Sequence, residues 1–557
     1  MNSIRTQQGI GLIVFFLAII AAGTVFLLAN NAPEDGRVTS ENSTTASLAT
    51  AKSALISYAT SYYLRESSTG TSHAGIHGLL PCPEKSTSPA DGTSAPNCGT
   101  THASSLGRLP WRSLQIQPLT DSNGECLWYA VSGGFFNFPK SPLTNDDTPG
   151  KFQLYNLNGS LHKGATAEDR IVALVIAPGR PLPGQNRLAA VSGLPCKVSK
   201  DNVVAASYLD NYQGINNASV NGSTNDLIEQ FIQANALSDN TSLNDRFITI
   251  TSREIFDAIK QQTSLYETKM LNLGIELSNC LIDYSIASND SVNPPSSCQT
   301  DCDAARDLCF LSASTGKERA ACNRARNDCR KNCPSGGGGG GGKGKGKGGT
   351  GGGATTTTAF QLPWPAPVDL AMADFRPNAS YLDMDAATAG SQGYLGRLPY
   401  DISNSDAATG NSSSTNTLLD FCGITMDSES GLLWQNWKDH WFYVIGKDFE
   451  PGSTQASTNC TQCPSYQAST NDYAAILIFS SERLPGQFRR TNETENPDPA
   501  FAQSKYSINN YLEGSNASNY IDSVGDGTYA NYLPSDTPND LLFCIKSDMS
   551  SVSGVCP

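Results

Sequence analysis

Histidine, tryptophan with acid, and cysteine supply the chemistry that this 557-residue chain could do. Of its five histidines (His73, His77, His102, His162, His440), His73 and His77 stand four apart. No glutamate follows His73 as the HExxH zinc signature requires, so helix-borne zinc catalysis is not expected. Asp427, Glu429, Asp439 and His440 lie near Trp434, Trp437 and Trp441. Carboxylates beside indoles can grip a glycan; a packed aromatic core with acids outside it is the favoured alternative. Asp522–Asp526 (DSVGD) offers oxygen ligands for Ca²⁺ but fits no EF-hand loop. Cys460-Thr461-Gln462-Cys463 has thioredoxin-type spacing without a βαβ context, which favours a structural disulfide over redox catalysis. GxSxG, Walker A, kinase and Rossmann signatures are absent from the sequence. The expectation is a protein that is not an enzyme, with no catalytic residue, no cofactor and no metal.

Six of the sixteen cysteines have a more definite logic. The spacings of Cys298, Cys302, Cys309, Cys322, Cys329 and Cys333 read the same from either end, with a midpoint between Thr315 and Gly316. Steps of four and seven keep three cysteines on one helical face. Two antiparallel helices turning at Thr315-Gly316 would therefore nest the pairs Cys298–Cys333, Cys302–Cys329 and Cys309–Cys322. Asp301 then faces Arg330, and Asp307 faces Arg324. A stapled hairpin this short needs its disulfides, because it cannot bury enough core alone. A zinc cluster is disfavoured by the lack of CxxC spacing and of histidine in the module. Among the other ten cysteines, Cys82–Cys98 and Cys544–Cys556 are expected as local loops. Residues 335–358 follow as a Gly/Lys/Thr-rich linker, whose Lys343, Lys345 and Lys347 are too few for a polyanion site.

So many cysteines in a chain with only 16 % charged residues point to an oxidising, extracytoplasmic compartment. A net charge of −14 argues against nucleic acid as a specific partner. Ile10–Ala29 runs without a charge for about 20 residues, which as a helix measures about 30 Å, one hydrocarbon core. Arg5 on its short side would keep the N-terminus cytoplasmic and export the rest.

Gln7-Gln8-Gly9 directly before this run resembles the type IV prepilin leader, which a prepilin peptidase cuts after its glycine. The resemblance places the cut between Gly9 and Ile10. Family members usually begin the mature chain with Phe or Met and carry Glu at its fifth position; here Ile10 and Val14 stand there. That resembles noncanonical minor pilins, including the large minor pseudopilin of type II secretion, which lacks this Glu and sits at the filament tip.

Beyond the apolar run, Leu48, Ala51, Leu55, Tyr58 and Tyr62 recur at helical spacing over 46–64. Cys126–Val131 reads as a strand. The order ALISYA, LPCP, LGRLPW, LWYAVS resembles the globular heads of bacterial pilin-like proteins, in which a helix packs on an antiparallel sheet. The chain then repeats itself. Leu106–Pro110 recurs as Leu395–Pro399, Ala173–Arg187 as Ala475–Arg489, and Asn244–Ser252 as Asn539–Ser547; Tyr212 and Ala218-Ser219 align with Tyr511 and Ala517-Ser518. Thr251 and Glu254 form a capping box opening a long helix, with Ile255, Ile259, Tyr266, Met270, Leu273, Leu277 and Leu281 as its apolar stripe.

The expected class is α+β: an N-terminal transmembrane helix, then two tandem pilin-like heads with an inserted disulfide-stapled α-hairpin. The expected layout is a prepilin-like leader (1–9), transmembrane helix (10–29) and first head (38–251). A helix and the start of the second head (252–297), the hairpin (298–334), the linker (335–358) and the rest of the second head (359–557) follow. The resemblance implies a large minor pilin or pseudopilin of a type IV pilus or type II secretion filament, for initiation, adhesion or substrate contact. Its partners would be other pilins through the N-terminal helix, prepilin peptidase, the inner membrane and a surface or secreted ligand. It would be a single-pass inner-membrane protein with periplasmic heads, then part of a pilus or the cell surface. The alternative is a membrane-anchored binding protein that borrows pilin-like heads and never polymerises.

Overall fold

In the computed structural model the chain is a mixed α+β protein. The structure describes residues 36–549 and Cys556, leaving out 69–77, 101–102, 137–143, 167–168, 195, 221–227, 236–241, 262–263, 369–377, 393, 410–416, 454–459, 468–472, 485–486, 488, 490–507, 519–527 and 530–538. Between 293 and 359 it describes only Cys302, Ala305, Cys309, Cys322, Arg324, Ala325, Arg326 and Cys329. Gly9, Ile10 and the expected transmembrane segment 10–29 lie outside the described residues, as do Cys298 and Cys333. Among the described residues, no helix is long and apolar enough to cross a membrane.

Helix α1 (Gly36–Ser68) leads into the first sheet. Its strands are β1 (Ser105–Arg108), β2 (Trp128–Val131), β3 (Phe152–Asn156), β4 (Leu161–Lys163) and β5 (Ile171–Ala177). After a two-residue-strand hairpin, β6 (Asn211–Tyr212) with β7 (Ile215–Asn216), come β8 (Glu229–Gln233) and β9 (Arg246–Thr251). β1, β2, β5 and β9 pair antiparallel in that order. β3 and β4 extend the sheet, with β8 parallel to β3.

Helices α2 (Ser252–Gln261) and α3 (Ser264–Val292) follow. The periodicity reads as one helix; the structure has two. The capping box holds: Thr251 N donates to Glu254 Oε2 at 2.9 Å, and Glu254 N donates to Thr251 Oγ1 at 3.3 Å. The second unit then follows with α4 (Ala386–Gln392), β10 (Leu395–Arg397), α5 (Ser403–Thr409), α6 (Leu418–Phe421), α7 (Glu429–Trp437), β11 (Trp441–Ile445), β12 (Ser465–Tyr466), β13 (Tyr473–Phe479), α8 (Gly514–Ser518), β14 (Thr528–Tyr529) and β15 (Leu541–Lys546), β12 and β14 forming a separate parallel pair. β10, β11, β13 and β15 pair antiparallel, the same sequence of pairings as β1, β2, β5 and β9.

The registers coincide as well. Across the first sheet run Arg108, Trp128, Ile176 and Phe247; across the second run Arg397, Phe442, Ile478 and Leu542. The repeated Leu-Gly-Arg is explained by close approach. A Cβ on Gly107 would lie 2.2 Å from Glu84 O, and one on Gly396 would lie 2.1 Å from Ala366 O. In both places only glycine lets the edge strand touch the crossing chain at Pro83-Glu84 or Pro365-Ala366.

α1 packs on β5, β9 and α2, and α3 packs on β13 and β15. One apolar core runs from Leu48 and Leu55 of α1 through Phe256 of α2 and Leu277 of α3 to Trp441 and Phe543. Among the described hairpin residues, Cys302 pairs with Cys329 and Cys309 with Cys322. Asp301, Asp307 and Arg330 lie outside the described residues; Arg326 instead reaches Asp283 of α3 at 3.1 Å, both side chains being buried.

Candidate functional site: a buried charge junction

The turn at Thr144–Thr148 is shaped by Asn145. Its Oδ1 accepts from Asp147 N at 3.0 Å, its N donates to Thr148 Oγ1 at 3.0 Å, and Thr148 N returns to Asn145 O at 3.1 Å. This turn belongs to the far end of the first sheet, beyond the C-terminus of β2, and it docks on the second. Asn436 of α7 accepts Thr144 N at 3.1 Å through Oδ1, and its carbonyl accepts Asn145 Nδ2 at 3.0 Å. Asp147 then lies 3.1 Å from His440 Nε2, 3.7 Å from Arg483 and 3.8 Å from Arg489. Asp146 pairs with Lys260 of α2 at 3.0 Å, and Lys260 faces Glu482 at 3.7 Å. Burial would raise Asp147, but Arg489, the His440 hydrogen bond and Arg483 outweigh it and hold the carboxyl well below the usual range. Burial would lower Lys260; Asp146 and Glu482 raise it instead.

Ser480, His440 and Asp147 stand in the order of a hydrolytic triad, with Ser480 Oγ 3.4 Å from His440 Nδ1. The details do not suit nucleophilic catalysis. Ser480 is 0 % and His440 1 % exposed. The same Nδ1 lies 2.9 Å from Ser480 O and 3.2 Å from Arg489 Nη1. Asp146, Asp147 and His440 also bring potential metal ligands within 4.8 Å of one another. Arg483, Arg489 and Lys260 already supply the positive charge there, so a divalent cation does not fit.

Each sheet also carries the same buried polar network. In the first, Gln185 Nε2 donates to Asp210 Oδ1, whose other oxygen accepts Asn244 N and Asp245 N. Asp245 Oδ2 accepts Asp210 N and Asn217 Nδ2. In the second, Gln487 donates to Glu513, Glu513 accepts Asn539 N, and Asp540 accepts Glu513 N and Asn516 Nδ2. Arg187 spans the carbonyls of Gly179, Pro178, Ser207 and Tyr208; Arg489 spans those of Ser481, Glu482, Asn510 and Tyr511. Tyr511 therefore corresponds to Tyr208, not to Tyr212 as the sequence alignment reads. Burial and the adjacent Asp210 push Asp245 well up; burial and Glu513 do the same to Asp540.

The tryptophan and acid group is divided among other tasks. Trp434, Trp437 and Trp441 are buried, so their faces form core rather than a sugar platform. Glu429 pairs with Lys269, and Asp439 accepts the Tyr381 hydroxyl. His440 belongs with Asp147, a partner too distant in sequence for any local signal. Cys460 and Cys463 are disulfide-bonded, as are Cys82–Cys98, Cys126–Cys196, Cys280–Cys422 and Cys544–Cys556. Asp522–Asp526, His73, His77 and Lys343, Lys345 and Lys347 lie outside the described residues. No protein-family model matches the chain, and neither a curated protein nor a solved structure matches it.

Proposed function

We propose that the chain is a large, non-enzymatic minor pilin or pseudopilin, held in the inner membrane by residues 10–29 and displaying two pilin-like heads in tandem. The observation that carries this reading is the twice-built unit, a helix on a four-strand antiparallel core, whose first helix begins a few residues after the apolar run. Its bulk suits a filament tip, because two stacked units are hard to repeat at every position of a thin filament. Cleavage between Gly9 and Ile10 by prepilin peptidase would free the apolar helix to join sister subunits. The heads and the stapled hairpin would then meet a surface or secreted ligand.

The mass of the mature N-terminus in native membranes tests this. A chain beginning at Ile10, with a methylated amine, is expected. A chain still beginning at Met1 overturns the filament reading and leaves the second one, an anchored binding protein that never polymerises.

A further inference from the structure

The two units stack end to end. The end of the second sheet where β11 begins and β13 ends, with His440, Glu482, Arg483 and Arg489, is covered by the first unit through Asp146 and Asp147, with Lys260 of α2 beside them. The matching end of the first sheet is where β2 begins, β5 ends and β9 begins. Thr44 of α1 marks that end by accepting Ser122 N at 3.1 Å, and Glu41 pairs there with Arg246. Gly179 N and Asp121 Oδ2 meet at the same end, 2.8 Å apart.

A loop projects from it. Residues 188–194 (LAAVSGL) leave Arg187 and return through Lys197, whose Nζ donates to Asn123 O at 3.0 Å. Cys126–Cys196 staples the loop to the start of β2. Leu188 is 55 % and Val191 54 % exposed, Val204 beyond the staple 62 %, and Ala189, Ala190 and Ala206 are exposed as well. The shared fold does not require this apolar surface. Past the equivalent Arg489 the sequence continues Arg490-Thr491-Asn492-Glu493-Thr494-Glu495, all polar or charged.

We propose that this loop docks on the lipid surface of the membrane that holds the chain. The inference rests on the reading that residues 10–29 are membrane-borne. Six residues, 30–35, then separate that segment from α1 and reach at most about 20 Å. The end of the first sheet that carries Glu41 and Thr44 is thereby held against the bilayer, and Leu188 and Val191 are its apolar points. An uncharged, disulfide-stapled loop can enter the headgroup boundary by about 5–10 Å, as apolar interfacial side chains do. In the second unit the corresponding end rests on protein, and its sequence there is polar.

The full chain, reconstituted in phosphatidylethanolamine/phosphatidylglycerol vesicles with brominated acyl chains, tests the proposal. Val191→Trp supplies the probe, and Lys546→Trp, at the opposite end of the second sheet, is the control. Expected is a bromine-dependent loss of about half of the emission added at position 191, and none at 546. Chain that floats with the vesicles after an alkaline wash but shows no quenching at 191 overturns the loop's docking alone. A blue shift at 191 that follows protein density and ignores bromine overturns it in favour of a sister subunit. Chain that fails to float overturns the membrane reading and the docking together.

Discussion

His440 stands in the second sheet where Cys126 stands in the first. Each lies two residues before the residue, Phe442 or Trp128, that pairs with Ile478 or Ile176. The same lattice point serves opposite purposes. Cys126 is tied inside its own unit to Cys196, whereas His440 reaches out to Asp147 of the neighbouring unit. At this equivalent point an internal covalent tie in the first unit stands against a side-chain contact across the seam in the second.

Asp147→Asn is expected to open that seam. It leaves Arg489 and Arg483, both almost fully buried, without their carboxylate. Losing one partner of a buried ionic cluster costs about 3–5 kcal/mol. Urea unfolding followed by intrinsic fluorescence should lose its single transition, with one unit melting before the other. A single transition at the parental midpoint would show that the seam contributes nothing.

The seam should tolerate mild acid. Asp147 is held low, so its contribution is present above the unfolded value of about 4 and fades as pH falls through its depressed folded value. Protection against hydrogen exchange at residues 144–148, relative to the intrinsic rate at each pH, should stay constant from pH 8 to pH 5 and fall only below about pH 4. A loss of protection already between pH 7 and pH 5 would contradict this account.

Asp245 and Asp540 carry the opposite sign. Their folded values are raised, so their contribution is full below about pH 4 and is lost as pH rises through those folded values. Oδ1 of each is buried without a hydrogen-bond partner, which suits a protonated acid or an amide. The double variant Asp245→Asn/Asp540→Asn keeps the two hydrogen bonds accepted on the other oxygen. Its melting temperature at pH 7 should equal or exceed the parental one, and its rise on going to pH 5 should be smaller. A lower melting temperature at pH 7 would mean that both carboxylates work ionised.

What could be read from sequence was whatever is local or repeated. The Thr251/Glu254 box spans three residues, the disulfide loops Cys82–Cys98 and Cys544–Cys556 close over separations of 16 and 12, and Leu-Gly-Arg was legible as a repeat though not as an edge strand. The repeat carried both sheets because the same apolar pattern must fill the same register. The seam was illegible: Asp147 and His440 meet only when both units are complete, and no periodicity announces a pair so far apart. The Tyr212 alignment failed for a related reason. The network equates backbone carbonyls held by Arg187 and Arg489, and a carbonyl leaves no trace in residue identity.

The stapled hairpin gives the last expectation, because among the described residues an ion pair joins it to α3. Arg326 and Asp283 are buried together at 3.1 Å, on the part of α3 that also carries Cys280 and its bond to Cys422. Arg326→Ala removes the guanidinium that pairs with the buried Asp283 at 3.1 Å, so a loss of about 3 kcal/mol is expected. The pair Arg326→Leu/Asp283→Leu removes the charge and fills the space, so it should recover most of that loss, since buried ion pairs are often replaceable by apolar side chains. Hydrogen exchange along α3 distinguishes attachment from general stability. Arg326→Ala should quicken exchange at residues 280–288 while leaving β13 and β15 slow. Equal quickening across the second sheet would show that Arg326 supports the whole unit, not the seat of the hairpin.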